Sequence, residues 1–351
     1  MLDKKCSKTQ QKIIPINYIT ANNRKPQDSI EIIVSLFTDC NLRCQFCGDR
    51  YRQLEKFSYN GLQRRLENII SVLDHVCPKC VYFKIFGGEL FQDKFGDDVF
   101  EQYDNFFHQI SNQCIKRNIQ YYIDISTNAV YHNVHRVVSL AKKWNLKFRC
   151  SYDFYGRFTK QRQKDIFKQN VDELQNNNIP VSIATILTTQ LIDIVTYETN
   201  DLHEEWDSLY NSYNISIDYY DPETLLPEEG IVKRSSTITD AFLPNDQQII
   251  NFFKYCIKKY PNLSIIESLI QSYNTHNATP HCMHGVAISS QIYWECCDME
   301  KVRQSFINNK QCPTCRHMSY CNGTCNRLFY NSKTCYLREV YNFLENENSK
   351  N

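Results

Sequence analysis

The sequence predicts an α/β protein, a parallel sheet of repeated strand–helix units followed by a smaller cysteine-rich α+β region. Three observations carry that expectation. Between about residue 31 and residue 220, short β-branched runs alternate with longer stretches whose apolar residues recur at helical spacing. The strand-like runs end in polar, glycine- or cysteine-bearing turns, where a barrel collects its reactive groups. Eight of the 17 cysteines crowd between Cys282 and Cys335, which marks a separate metal-binding segment. The expected organisation is an N-terminal extension over 1–30, a sheet domain over 31–235, and a cysteine-rich domain with a C-terminal helix over 236–351.

In chain order, the expected strands are Glu31–Phe37, Val81–Phe86, Gln120–Ser126, Lys147–Tyr152, Val181–Leu187 and Ile215–Tyr219. Helices fit between them. Leu62, Leu66, Ile69 and Leu73 share one helical face, as do Phe100, Tyr103, Phe107, Ile110 and Cys114. A further helix is expected over Asp246–Lys259, with Cys256 in its apolar face.

Composition removes several function classes. With 40 basic and 39 acidic residues the net charge is +1, so no electrostatic footprint for nucleic acid or an anionic membrane exists. No apolar run approaches the length that crosses a bilayer. The opening Met1-Leu2-Asp3-Lys4-Lys5-Cys6 has no signal-peptide pattern, so a reducing cytoplasm, with metal ligation rather than disulfides, is expected to explain the cysteines.

Cys40, Cys44 and Cys47 follow the first strand in the order C-x3-C-x2-C. Three thiolates at this spacing can hold a four-iron cluster and leave the fourth iron open to a second molecule, which favours an enzyme over a passive metal protein. At this cysteine frequency the spacing arises by accident with a probability of roughly 0.04, so the flanking features matter. Phe46 precedes the last cysteine, and the second strand runs directly into Gly87-Gly88-Glu89. The plain competitor is a Cys/His zinc knuckle.

With those residues in view, the chain resembles the radical S-adenosylmethionine (SAM) enzymes. The resemblance implies a partial (β/α)6 barrel, similar to a TIM barrel, whose open iron chelates SAM. One-electron cleavage of SAM then gives a 5′-deoxyadenosyl radical that takes hydrogen from substrate. It also implies that Gly87, Gly88 and Glu89 contact the SAM amino group, in line with close backbone approach at glycine and a carboxylate for an ammonium. Ser126-Thr127-Asn128 resembles the family's Thr-Asn-Gly turn, with Ala129 in place of glycine. Ser151-Tyr152-Asp153 resembles its Ser-x-Asp, with the hydroxyl toward the ribose. Arg157, or equally Arg162, is a partner for the SAM carboxylate. Each of these has a competing reading as a turn or capping residue. Tyr219 to Pro222 would border adenine or substrate.

Cys312, Cys315, Cys321 and Cys325 read C-x2-C-x5-C-x3-C, and the array with its neighbours resembles the SPASM extension of radical SAM proteins. That resemblance implies two auxiliary four-iron clusters. One would use Cys312, Cys315, Cys321 and Cys335; the other Cys282, Cys325 and Cys297, with Cys296 as the alternative to Cys297. A fourth ligand for the second cluster is not evident, so an open iron, ligation by Cys296 and an absent cluster all stand. The competing reading of Cys312 to Cys325 is a tetrahedral zinc site. Asp298, directly after Cys297, corresponds to the substrate-deprotonating base of sulfatase-maturing relatives.

The resemblance implies a maturase-like oxidoreductase acting on a peptide or protein side chain, as in RiPP-type modification. Its one-electron donor would be a flavodoxin or ferredoxin. About thirty residues precede the first strand, which are expected to be too few for a leader-binding domain and keep a sulfatase-maturase-like or small-molecule substrate in play; a nucleoside substrate is a separate rival. A non-catalytic iron–sulfur or zinc protein is the other rival. Cys77 and Cys80 precede the second strand, at the end away from the site, and read as structural. Cys114 and Cys150 read as core, and Cys6 has no partner spacing. His281 and His284 flank Cys282 without a pairing pattern.

Overall fold

The computed structural model describes residues 29–47, 55–219, 223–226, 230–233, 241–277, 285–289, 292–293, 315–317, 319–321 and 335–348. Its strands are β1 (Ser29–Ser35), β2 (Cys80–Phe86), β3 (Gln120–Thr127), β4 (Lys147–Ser151), β5 (Val181–Leu187), β6 (Asn214–Tyr219), β7 (Glu223–Leu226), β8 (Gly230–Lys233), β9 (Gly285–Ile288) and β10 (Ile292–Tyr293). Helices are α1 (Tyr59–Val76), α2 (Asp97–Lys116), α3 (Val134–Trp144), α4 (Gln161–Asn176), α5 (Thr189–Thr196), α6 (His203–Ser212), α7 (Asp246–Lys259), α8 (Ser264–Thr275) and α9 (Tyr336–Asn348).

Six strands alternate with helices through five crossovers, as the sequence predicts, and β6 is followed by the β7–β8 hairpin. Strands β1 to β6 lie side by side in chain order, all parallel, because each return crosses over through at least one helix. The sheet runs β10-β9-β1-β2-β3-β4-β5-β6, and its two edges do not pair with each other, so the barrel is open. Sequence reasoning missed that β9 pairs in parallel with β1, extending the barrel sheet from the cysteine-rich side of the chain. Four residues, Gly-Val-Ala-Ile, are too short to show a period. The first strand also ends two residues earlier than expected. Leu36 N still bonds Phe86 O at 2.9 Å, but Thr38 and Asp39 then turn to share the carbonyl of Glu55.

The outer face of the sheet is apolar. Ile30, Ile32, Val34, Val81, Phe83, Ile85, Ile123, Ile125, Phe148 and Cys150 join one continuous core with the helices. Helix α1 contributes Leu62, Leu66, Ile69 and Leu73, and α2 contributes Phe100, Tyr103, Phe107, Ile110 and Cys114, the faces read from spacing. Cys256 is fully buried in α7. Ser58 caps α1 by accepting from Gly61 N, and Cys77 closes it in a left-handed conformation. No described helix is long and apolar enough to cross a membrane.

Alternation leaves the inner face polar. Lys84 pairs with the buried Glu31 at 2.6 Å, and Arg149 with Asp218 at 2.6 Å. Tyr82 and Tyr122 stack at 5.0 Å. Between these pairs stands Asp124, whose Oδ1 is buried with no hydrogen-bond partner. Burial pushes its carboxyl above the usual range, against the pull of Lys147, Lys84 and Arg149.

Candidate active site

The loop from Leu36 to Cys47 leaves the C-terminal end of β1 and alternates its exposure. Leu42, Cys44 and Phe46 are buried, Asn41, Arg43 and Gln45 are exposed, and Cys40 and Cys47 are half-buried. Burial of every second side chain pins the loop and turns the thiols to the strand ends. Three seams hold it. Glu55 takes Thr38 N and Asp39 N on its carbonyl, while both carboxylate oxygens receive Arg65 at 2.7 Å. Arg65, only 1% exposed, also donates from Nε to Ser35 O at 3.0 Å.

The second seam is the Gly87-Gly88-Glu89 turn. Gly88 N donates to Phe37 O at 2.9 Å and Glu89 N to Asp39 O at 3.1 Å. A Cβ on Gly88 would lie 2.0 Å from Asp39 O and 2.4 Å from Thr38 O, so glycine is required for backbone to meet backbone. The Glu89 carboxylate is fully buried. It accepts from Asn128 N at 2.6 Å, from Phe91 N at 3.1 Å and from Thr127 Oγ1 at 2.8 and 3.0 Å. It thus ties the end of β2 to the end of β3, and an ammonium reaching it would share these oxygens. Burial pushes the carboxyl up to about 6 despite the hydrogen bonds.

The third seam joins the loop to the turn after β3. Asn128 Nδ2 donates to Asn41 Oδ1 at 2.8 Å and reaches Cys40 Sγ at 3.6 Å, while Asn41 Nδ2 donates to Val130 O. Ala129 is left-handed, with φ 53°, where the resembling motif has glycine. Asn170 of α4 holds that turn by donating to Ala129 O and Tyr131 O. Asn41 and Asn170 escaped sequence reasoning, because a lone asparagine carries no spacing signal.

On the far side, Asp153 and Arg157 face the cysteines. Asp153 Oδ1 accepts from Ile186 N and Thr185 Oγ1, and Oδ2 accepts Arg157 Nε at 2.7 Å. Arg157 Nη1 lies 3.7 Å from Cys44 Sγ, and its guanidinium covers the Phe46 ring at 5.3 Å. Burial opposes the Arg157 charge, but Asp153 and Cys44 more than offset it, so the guanidinium stays protonated. Gly156, at φ 79°, takes Gln45 N on its carbonyl at 2.7 Å and lets Phe46 pack close. Arg162, the alternative to Arg157, is exposed on α4. Ser126 and Ser151 are half-buried on the inner face of β3 and β4.

The three thiols lie within electrostatic range of one another. Burial is the main force raising Cys40, to about 12, and Cys44; Glu89 adds to the first, and Arg157 opposes the second. Coordination to iron would deprotonate them. Among the described residues, no three His, Cys, Asp or Glu side chains converge closely enough to share one metal ion.

Of the second array, Cys315, Cys321 and Cys335 are described. All three are half-buried, and Cys335 feels the charge of Cys315. Helix α9 anchors the segment that carries Cys315 and Cys321 through Asn342, which accepts from Arg316 Nη2 at 2.7 Å. His317 bonds Tyr320 Oη at 2.6 Å and Asn342 Oδ1 at 3.0 Å, and the ring packs on Tyr341. Cys282, Cys296, Cys297, Cys312, Cys325, Asp298, His281, His284, Cys6 and residues 220–222 lie outside the described residues.

No protein-family model matches the chain, and no curated protein matches it. Solved structures do. Native anSMEcpe with bound AdoMet (SAM) is similar at a TM-score of 0.61 and 13% identity, over 92% of this chain and 98% of that one. Native anSMEcpe with bound AdoMet and Cp18Cys peptide gives 0.62 and 13%, over 92% and 97%. Streptococcus suis SuiB bound to precursor peptide SuiA gives 0.51 and 14%, over 87% of this chain and 74% of that one. At these identities the likeness concerns architecture, and the chain shares the architecture of these AdoMet- and peptide-bound structures, an open α/β barrel whose strands β1 to β6 are parallel, with the cysteine loop at the C-terminal end of β1.

Proposed function

We propose that the protein is a radical SAM enzyme that modifies a side chain of a peptide or protein, in the manner of RiPP maturases. One observation carries the reading: three buried or half-buried thiols, within electrostatic range of one another, stand on a braced loop at the C-terminal end of β1. Similar structures that hold a peptide, one of them together with AdoMet, support the substrate class. Cys40, Cys44 and Cys47 would hold a four-iron cluster, and when SAM binds its open iron the pair supplies one-electron cleavage to a 5′-deoxyadenosyl radical.

The chain's own residues prepare that site. Glu55, Arg65, Gly88 and the Asn41–Asn128 pair fix the loop. Phe46, Gly87, Gly88, Glu89, Ser126, Asn128, Ser151, Asp153 and Arg157 are the residues proposed to border SAM; Phe46 lies on the cysteine loop after β1, and the others lie at or just after the ends of β2, β3 and β4. The polar inner face, with Lys84, Asp124 and Arg149, offers hydrogen-bonding groups to a side chain entering the barrel. Cys312, Cys315, Cys321 and Cys335 would hold one auxiliary cluster. Cys282, Cys325 and Cys297 or Cys296 would hold a second, with Asp298 as a substrate base. A low-potential donor such as flavodoxin or ferredoxin would supply the electron, and the cytoplasm is the proposed location.

Anaerobically reconstituted protein, reduced in the presence of SAM, should release 5′-deoxyadenosine, and Cys44→Ala should not. Supplied with fractions of deuterium-grown cells, it should carry deuterium into 5′-deoxyadenosine from the peptide and protein fraction. Deuterium from the small-molecule fraction alone would overturn the substrate class, and no cleavage at all would overturn the enzyme.

A further inference from the structure

The loop that carries the thiols is shielded from solvent on the side of Cys44, and Arg157 is largely buried beside that thiol. Arg157 has a side chain only 12% exposed and is anchored by a carboxylate that is itself 6% exposed. That carboxylate is held in turn by Ile186 N at 2.8 Å and Thr185 Oγ1 at 3.2 Å on β5. Anchored so, the guanidinium has one nitrogen on Asp153, its flat face on Phe46, and Nη1 directed at Cys44 Sγ. Other described cations near the loop are placed differently: Arg65 is also buried, but its guanidinium is spent on Glu55 and Ser35 O. Arg43 is exposed, and Lys94 is half-exposed and spent on Asp39.

We propose that Arg157 is a positioning residue for electron entry, its buried positive charge raising the reduction potential of the cluster at Cys44. This rests on the reading of the cysteine loop as a cluster site. It is separate from any contact of Arg157 with SAM, since it operates before SAM binds. Reduction adds one electron, delivered by a low-potential one-electron donor that is itself oxidised by one electron, and no bond forms or breaks. The cluster with its three thiolates becomes more negative by one charge. A fixed cation at hydrogen-bonding range stabilises that extra charge strongly where water is excluded. Asp153 acts in the opposite sense, being an anion on the same side but one group farther from the sulfur. The Asn128 amide near Cys40 Sγ, at 3.6 Å, reinforces Arg157 at a second thiol.

The opposed signs of Arg157 and Asp153 give a test that mere structural support cannot imitate. Wild type, Arg157→Lys, Arg157→Gln, Asp153→Asn and the double variant Arg157→Gln/Asp153→Asn are reconstituted anaerobically without SAM. Each is titrated electrochemically while the paramagnetic signal of the reduced cluster is followed. The signal missing from Cys44→Ala identifies the cluster concerned. Arg157→Gln should lower the equilibrium constant for reduction by roughly tenfold, about 59 mV for a one-electron couple. Asp153→Asn should raise it, Arg157→Lys should stay near wild type, and the double variant should fall between wild type and Arg157→Gln. If Arg157→Gln fails to fold around an unpaired Asp153, Asp153→Asn against the double variant still isolates the arginine charge. Midpoints that ignore these charges, or that move in one direction for both single variants, overturn this inference alone. Wild-type protein that assembles no reducible cluster overturns the proposed function and this inference with it.

Discussion

Replacing Gly88 with alanine is expected to dislodge the cysteine loop while leaving the barrel folded. An added Cβ would sit 2.0 Å from Asp39 O and 2.3 Å from Asp39 C, both backbone atoms that no rotamer change can move. Contacts of real Cβ atoms begin near 3.0 Å, so the loop must withdraw by about 1 Å. That motion breaks the seam formed by Gly88 N on Phe37 O, Glu89 N on Asp39 O, and Gln92 Nε2 on Asp39 O. At about 1 kcal/mol for each hydrogen bond, the local loss is about 3 kcal/mol. Displacement of the ligand loop should weaken iron retention by roughly 10- to 100-fold, the range seen when the supports of metal ligands are removed. Gly87→Ala is the control. Its nearest contacts, 3.1 Å to Phe37 O and 3.2 Å to the Leu90 side chain, need only a few tenths of an ångström of relief, at about 1 kcal/mol. Iron content after a chelator challenge, with denaturant unfolding of the metal-free proteins, measures both effects. Gly88→Ala protein that keeps wild-type iron and wild-type stability would refute the reasoning.

Other perturbations test the remaining seams. Glu89 has its carboxyl raised from 4.5 to about 6 in the fold. The folded state therefore keeps a proton that the unfolded chain releases, and stability should fall as pH rises from about 4.5 to about 6, by about 2 kcal/mol. Glu89→Gln should remove that slope in denaturant titrations of metal-free protein, and an unchanged slope would argue against a buried carboxyl. Arg65→Met should cost about 3 kcal/mol by the same method, because charged hydrogen bonds to Ser35 O and Glu55 are lost; a neutral result would show that the brace carries no energy. Asn128→Ala should speed iron loss to a chelator by roughly tenfold without changing the strand content of the circular dichroism spectrum. Equal iron retention would remove the Asn41–Asn128 clamp from the account.

Much of this was legible before any coordinates. Six strands follow from β-branched runs separated by helical spacing, since the apolar outer face and polar inner face impose a period of two. The cysteine loop and the Gly-Gly-Glu turn stand out because their chemistry depends on fixed short spacings. What stayed hidden depends on pairing across the sheet. Glu55 bracing Thr38, Asn170 reaching Ala129, and β9 joining β1 unite residues from 17 to more than 200 positions apart, and no local period records such contacts. Glu89 illustrates the limit. Its residue type invites an ammonium, yet the fold turns the carboxylate inward to Thr127 and Asn128. For Arg157, residue type alone points to an anion, while its ion pair with Asp153, four residues earlier, is a contact that only the fold displays.

The most direct test concerns the metal at the loop itself. Protein purified and reconstituted without oxygen, then reduced, should show the paramagnetic signal of a four-iron cluster that is lost in Cys44→Ala. Adding SAM should alter that signal, because the ligand joins an iron that no cysteine holds. Zinc bound at Cys40, Cys44 and Cys47, or a cluster signal indifferent to SAM, would contradict the account at its root.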